Sequence, residues 1–370
     1  MAARYKYVVE VSFNKGTCIN SIGACSMPYY HVAGINKADS VVYYKKSIRI
    51  VAVRKDFYNA SDILHKPTLT IHQVLERAIM LYYANCTNFP LINKITITAT
   101  CPDTALNFRT STNKSTTPQL FNFAITRSIT DFISPTSNWL SLDKKGNALR
   151  ISLSYWLEAI STSVSQIRFE RAWTAFNTIY TYYGKYKRED KNHGYIKDQI
   201  RNNAASFTES LAISSSLTYT QLRAYRWKKW KKSQIERKYF GILESIMTTI
   251  TDNRLKQVFV GIFASRDITT KFADSTNPVK DADLRAKLSN IQTSLSTPGV
   301  TNDMEVTLFL CVNYAYFLRN RRFHGGSENS FCKISPSAED TEFESISKRL
   351  ITLVKELYNA ENIIVENPTP

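Results

Sequence analysis

Residues 168–184 read RFERAWTAFNTIYTYYG, and the period of that stretch decides how the chain divides. Phe169, Ala172, Trp173, Phe176, Ile179 and Tyr183 recur at three- and four-residue steps, the spacing that gathers side chains into one stripe of an α-helix. So broad an aromatic stripe has to face other helices, and Gly184 stands where helices commonly stop.

Toward the C-terminus the same period returns. Tyr239, Leu243, Ile246, Met247 and Ile250 form one stripe, and Leu255, Val258, Phe259 and Ile262 form the next. The polar stretch from Thr269 to Asp303, holding Pro278 and Pro298, reads as a long connection with a short helix over 282–291. Met304, Leu308, Cys311, Ala315 and Leu318 then make the buried edge of a helix that Gly325 and Gly326 end. A last helix carries Phe343, Ile346, Leu350, Leu353 and Leu357, with Thr341 and Glu344 at capping-box spacing. Residues 151–365 are therefore expected to form an all-α helical bundle.

Toward the N-terminus the period falls to two. Tyr7, Val9, Val11 and Phe13 alternate with Val8, Glu10 and Ser12, as a half-buried strand requires. Ile48, Ile50 and Ala52 repeat the signal, as do Ile95, Ile97 and Ala99. One helix is expected between them, with Ile71, Val74, Ala78 and Leu81 on its apolar face and Thr70 and Gln73 at capping-box spacing. Thr110 to Pro118 reads as a polar surface loop, and the pattern changes for good around Lys144 to Asn147. The fold class that results is α+β: a mixed α/β domain over residues 1–150, then the helical bundle.

Composition narrows the function. Lysine and arginine exceed aspartate and glutamate by 48 to 31, giving a net charge of +17 and a pI near 9.5. Such a surplus favours a polyanionic partner, nucleic acid before an anionic membrane. The six cysteines include no CxxC pair and no metal-ligand spacing, so neither a metal nor a cofactor is expected. No apolar run approaches the roughly 18 residues of a membrane span, and the N-terminus enters a strand pattern directly. The expected location is the cytoplasm.

Of the five histidines, His324 alone combines an amphipathic helix with close cationic and amide neighbours, in the sequence LRNRRFHGG from Leu318 to Gly326. At roughly 100° per residue, Asn320 lies between Arg319 and His324 on the helix, so the three side chains can address one ligand group. That group should be a phosphodiester: an imidazole titrates near neutral pH, a guanidinium holds phosphoryl oxygens in bidentate fashion, and an amide can orient either. RNA supplies its own nucleophile, the 2′-hydroxyl, so such a set can cleave it without a metal. Arg319, Asn320 and His324 are the candidate catalytic residues, and Arg321 and Arg322 are assigned to phosphate or to a partner subunit.

Two further stretches bear on RNA. Arg188 and His193 repeat the arginine-to-histidine spacing, but in a charged stretch with no apolar stripe and with Glu189 where the amide should be. The segment RAYRWKKWKKSQIERK, from Arg223 to Lys238, sets eight cationic residues around Tyr225, Trp227 and Trp230. Within it Arg226, Trp227, Lys228, Lys229, Trp230, Lys231 and Lys232 are suited to neutralising phosphates and stacking on bases. The competing reading of those tryptophans is a core-facing edge whose lysines form a solvated face.

The Arg319-Asn320, three residues, His324 pattern near a helix end resembles the HEPN superfamily, above all its Apea-like bacterial members, and Gly325-Gly326 and the aromatic helix at 168–184 are similar too. The resemblance covers roughly residues 150–360. It implies a HEPN-like bundle with the aromatic helix packed beneath the catalytic one. It also implies a metal-independent endoribonuclease that leaves a 2′,3′-cyclic phosphate, within toxin, antiphage or RNA-processing systems, acting as a homodimer. A composite dimeric site also suits the chemistry, since transesterification benefits from a base and an acid and each chain offers one such histidine. Two rivals stand beside this: a non-catalytic RNA- or nucleotide-binding module, and a scaffold whose basic face binds an antitoxin or other defence-system protein.

Overall fold

A computed structural model describes residues 4–14, 23–32, 35–86, 90–101, 106–112, 141–225, 249–263, 299–323 and 338–368, with single positions between 286 and 296. The chain is α+β, an antiparallel sheet followed by helices. It divides into two compact units: Met1–Gln199 with Phe343–Pro370, and Ile200–Glu342.

The first unit is built on a sheet of β1 (Tyr5–Phe13), β2 (Gly23–Val32), β3 (Ile35–Tyr44), β4 (Ser47–Arg54), β5 (Ile92–Cys101) and β6 (Leu106–Thr112), in the order β2-β3-β4-β1-β5-β6. The alternation read from β1 is real: Tyr7, Val9, Val11 and Phe13 are buried. Register carries that face across the sheet, where Val41, Ile50, Val9 and Ile97 form one row of buried neighbours on β3, β4, β1 and β5. Two helices, not one, separate β4 from β5: α1 (Ala60–His65) and α2 (Thr70–Ala84). α2 lies against β2, β3 and β4, burying Ile71, Val74, Ala78 and Leu81, and Tyr82 stacks on Phe13 with ring centroids 4.1 Å apart.

Thr70 does not form the expected capping box. The residue before the helix is Leu69, and the Thr70 hydroxyl accepts instead from Nε of Arg54 at 3.0 Å. Arg54 is itself held in a bidentate pair with Asp39, at 2.7 and 2.5 Å, in which both residues are buried. Burial pushes the Asp39 carboxyl up, and the Arg54 bond opposes that shift. The loop expected from Thr110 does not begin there, since β6 runs to Thr112, and the rest of the stretch to Pro118 lies outside the described residues.

Among the described residues the unit continues with α3 (Lys144–Ser161), α4 (Ser165–Gly184) and α5 (Glu189–Asn202), whose last residues belong to the second unit, and it also holds most of the last helix. α3 starts where the sequence pattern changes, because Asp143 caps it by accepting from the Gly146 N–H at 2.7 Å. α4 buries every member of its predicted stripe. It packs against α3 and, through Phe169 and Phe343 at 5.1 Å, against α11 (Ala338–Asn359). Buried hydrogen bonds tie the three together: Trp156 Nε1 donates to Ile351 O at 2.9 Å, and the Ser152 hydroxyl meets Ala175 O and the Tyr358 hydroxyl. Thr341 lies inside α11, so it makes no capping box with Glu344, whose carboxylate is paired with Arg168.

In the second unit a 3₁₀ turn (Ala204–Ser206) leads to α6 (Thr208–Ser215), α7 (Tyr219–Arg223) and α8 (Asn253–Phe263). Next comes one long helix in three parts: α9 (Asp303–Leu308), a π-turn (Phe309–Tyr314) and α10 (Ala315–Phe323). α9 packs on α6, and Phe259 of α8 meets Phe309 with centroids 5.4 Å apart. The stripe read at 239–250 lies outside the described residues up to 248. Ala286, Ser289, Asn290, Thr293 and Ser296 are helical, so the polar connection carries helix, as read for 282–291.

Candidate active site on the long helix

The long helix is fixed at its start by a polar clasp. Asp252, wholly buried, accepts from the backbone N–H groups of Arg254 (2.9 Å), Leu255 (3.1 Å) and Asn302 (2.8 Å), which caps α8 and anchors the residue before α9. Asn302 caps α9 by accepting from Glu305 N–H at 3.0 Å, while the Glu305 carboxylate accepts from the N–H of Thr251 at 2.9 Å. Arg254 ties the clasp together, reaching Asp303 at 2.7 Å and the carbonyls of Ser214 and Leu217. Its guanidinium is pushed up from its ordinary value by the bond to Asp252. One turn on, the buried Thr307 hydroxyl meets Ser214 at 2.6 Å and Ser210 O at 3.2 Å.

From Val306 to Val312 every residue is buried, as expected of a helix surrounded by its neighbours. Cys311, Leu308, Ala315 and Leu318 lie in the core as read from the sequence, whereas Met304 is half-buried. The π-turn, in which the Ala315 N–H reaches back five residues to Leu310 O, was not foreseen. Its last residue, Tyr314, is anchored by a hydrogen bond from its buried hydroxyl to Glu342. Burial is first broken at Asn313: Asn313, Tyr316, Arg319, Asn320 and Arg321 are half-buried.

Arg319 and Asn320 come together, with Arg319 Nη1 donating to Asn320 Oδ1 at 2.8 Å. This bond takes up the amide oxygen of Asn320 and so assigns the orientation of its amide. Arg321 engages Glu339, Nη1 to Oε1 at 3.5 Å, with both side chains largely buried. The side chain of Arg322 lies outside the described residues, as do His324 and the segment Arg226–Lys232 with Trp227, Lys228, Lys229, Trp230 and Lys231. No group of histidine, cysteine or carboxylate side chains suited to a metal occurs among the described residues.

The second arginine-to-histidine pair does not converge. Arg188 is well exposed and paired with Asp190 at 2.7 Å. His193 is buried on α5, edge-on to Tyr180 and Trp173, with centroids 4.7 and 6.0 Å away. His72, on α2, sets its Nδ1 2.9 Å from Ile63 O.

Sequence reasoning missed the clasp, whose members are scattered between Thr251 and Glu305. Nor did it single out Asn313 and Tyr316, the two half-buried positions between Val306 and Leu318. Compared with protein families, with curated proteins and with solved structures, the chain matches none. Among the described residues no helix is long and apolar enough to cross a membrane.

Proposed function

We propose that the protein is a metal-independent endoribonuclease whose site is centred on Arg319, Asn320 and His324. The observation that carries the reading is the Arg319–Asn320 pair: a guanidinium and an amide bonded to each other at 2.8 Å, four residues before a histidine, where the buried helix becomes accessible. The net charge of +17 supports a nucleic-acid substrate.

In this reading the 2′-oxygen of RNA attacks the adjacent phosphorus as the bond from phosphorus to the 5′-oxygen breaks, leaving a 2′,3′-cyclic phosphate and a 5′-hydroxyl. Arg319 stabilises the charge that gathers on the phosphorane oxygens, and Asn320 holds Arg319 in place. His324 exchanges a proton with the 2′-oxygen or the leaving 5′-oxygen, and His324 of the partner subunit in a twofold dimer does the other. A cytoplasmic toxin or antiphage effector is the setting that the resemblance to the HEPN superfamily suggests.

The test sets cleavage against affinity. His324→Ala is expected to abolish cutting of single-stranded RNA while its dissociation constant stays within about twofold of the wild type. RNA bound by both proteins and cut by neither would make the protein a binding module. A stable stoichiometric protein partner and no affinity for RNA would make it a scaffold.

A further inference from the structure

We propose that Asn313 and Tyr316 form a nucleobase subsite beside the Arg319–Asn320 pair, in which Tyr316 stacks on a base of single-stranded RNA and Asn313 hydrogen-bonds to that base's edge. The position of the neighbouring phosphate rests on the nuclease reading. The subsite itself rests on the burial and spacing of the helix.

Between Val306 and Leu318 only Asn313 and Tyr316 are not buried. Asn313, Tyr316 and Asn320 are separated by three and four residues, so they lie along one stripe of the helix. Arg319 flanks that stripe three residues after Tyr316. Two helical turns separate Asn313 from Asn320, about 10 Å along the axis, a reach that suits the nucleotide next to a phosphate held at Arg319. The asparagine stands out by residue type. An asparagine in the middle of FLCVNYAYFL, from Phe309 to Leu318, interrupts an apolar run, and its side chain disfavours helix interiors.

Asn313 also lies in the π-turn. Such turns are rare, and they occur frequently at functional sites, where they re-aim side chains. Contacts flank this one on both sides, Thr307 with Ser210 and Ser214 two residues before it and Tyr314 with Glu342 at its end. A carboxamide offers one donor and one acceptor side by side, which matches N7 and the N6 amino group of adenine. A half-buried tyrosine offers a flat apolar face that any base can stack on. The chemistry therefore favours a single-stranded purine, adenine foremost.

The experiment measures binding of fluorescent oligoadenylate and oligouridylate to the full chain carrying His324→Ala, which keeps the RNA intact, and cleavage of the same oligonucleotides by the chain with His324 restored. Oligoadenylate is expected to bind about tenfold more tightly than oligouridylate. Asn313→Ala should erase that difference, as should Asn313→Asp, which keeps the shape but replaces the amide donor with an acceptor. Tyr316→Ala should weaken both ligands about tenfold and Tyr316→Phe should recover them, with unchanged circular dichroism throughout. Equal affinities for the two oligonucleotides, folded variants within twofold of the parent, or no binding of either RNA would overturn the proposal. Base-selective binding lost in Asn313→Asp without any cleavage by the His324 protein would leave the subsite standing and sink the nuclease reading alone.

Discussion

Arg319 donates to Asn320 across 2.8 Å, although successive helix residues point about 100° apart and do not ordinarily face each other. The bond engages one side of the guanidinium, and in the proposed nuclease the two side chains act on the RNA phosphate as a unit. Removing Asn320 should therefore take away one hold on Arg319 as well as losing an amide. Asn320→Ala is expected to lower kcat on single-stranded RNA by about a hundredfold, the scale of a lost transition-state donor. Arg319→Lys should do comparable damage, because an ammonium cannot reproduce the planar fork. Single-turnover rates at saturating enzyme, with folding checked by circular dichroism, measure both.

The polar clasp predicts a stability effect far from the chemistry. Asp252 is wholly buried and accepts from Arg254, Leu255 and Asn302. Asp252→Ala takes from Arg254 one of its two carboxylates and leaves the backbone N–H groups of Arg254, Leu255 and Asn302 without their acceptor, at a cost of about 3 kcal/mol. Chemical denaturation should show that loss, and Asp252→Asn, which keeps one acceptor oxygen, should lose less.

Gly184 ends α4 against Asn192, whose side chain bonds to both the N–H and the carbonyl of Tyr186, at 2.8 and 3.0 Å. A Cβ at Gly184 would run into the Asn192 amide. Gly184→Ala is expected to cost about 1–3 kcal/mol through overpacking, read as a lower denaturation midpoint. Gly194 has nothing near its missing Cβ, and Gly194→Ala on α5 should be neutral or stabilising.

Acid should loosen the C-terminal segment. Burial raises the Glu366 carboxyl, but Lys185, at 2.7 Å, and the Tyr182 hydroxyl outweigh burial and hold it below its ordinary 4.5. A carboxyl depressed by folding contributes stability above its unfolded value and loses it as pH falls through the folded one. Glu366→Gln should therefore be less stable than the wild type at neutral pH, and the gap should close between about pH 5 and pH 2. Equilibrium denaturation of both proteins across that range is the measurement.

Legibility in the sequence followed the strength of the period. β1, β4, β5, α2, α4 and α11 bury one face with regular spacing, and those faces could be read directly. β2 and β3 could not. β2 contains Pro28 beside a bulge, and β3 turns the charged Asp39 inward to meet Arg54, so neither alternates cleanly. Both capping boxes failed because the same residue types serve tertiary contacts here, Thr70 with Arg54 and Glu344 with Arg168. At the candidate site the Arg319–Asn320 pairing follows from neighbouring positions in the chain. The π-turn does not, and the contacts that flank it, Thr307 with Ser210 and Ser214 and Tyr314 with Glu342, join residues far apart in the chain that no local pattern announces.

The central claim is cleavage by transesterification at Arg319, Asn320 and His324. Its most direct test is to incubate the full chain with single-stranded RNA in excess EDTA, beside the His324→Ala protein, and to determine the chemistry of the ends. The account predicts cuts by the wild type alone, each leaving a 2′,3′-cyclic phosphate and a 5′-hydroxyl. Intact RNA in both reactions, or cleavage that needs a metal and leaves 5′-phosphates, would contradict it.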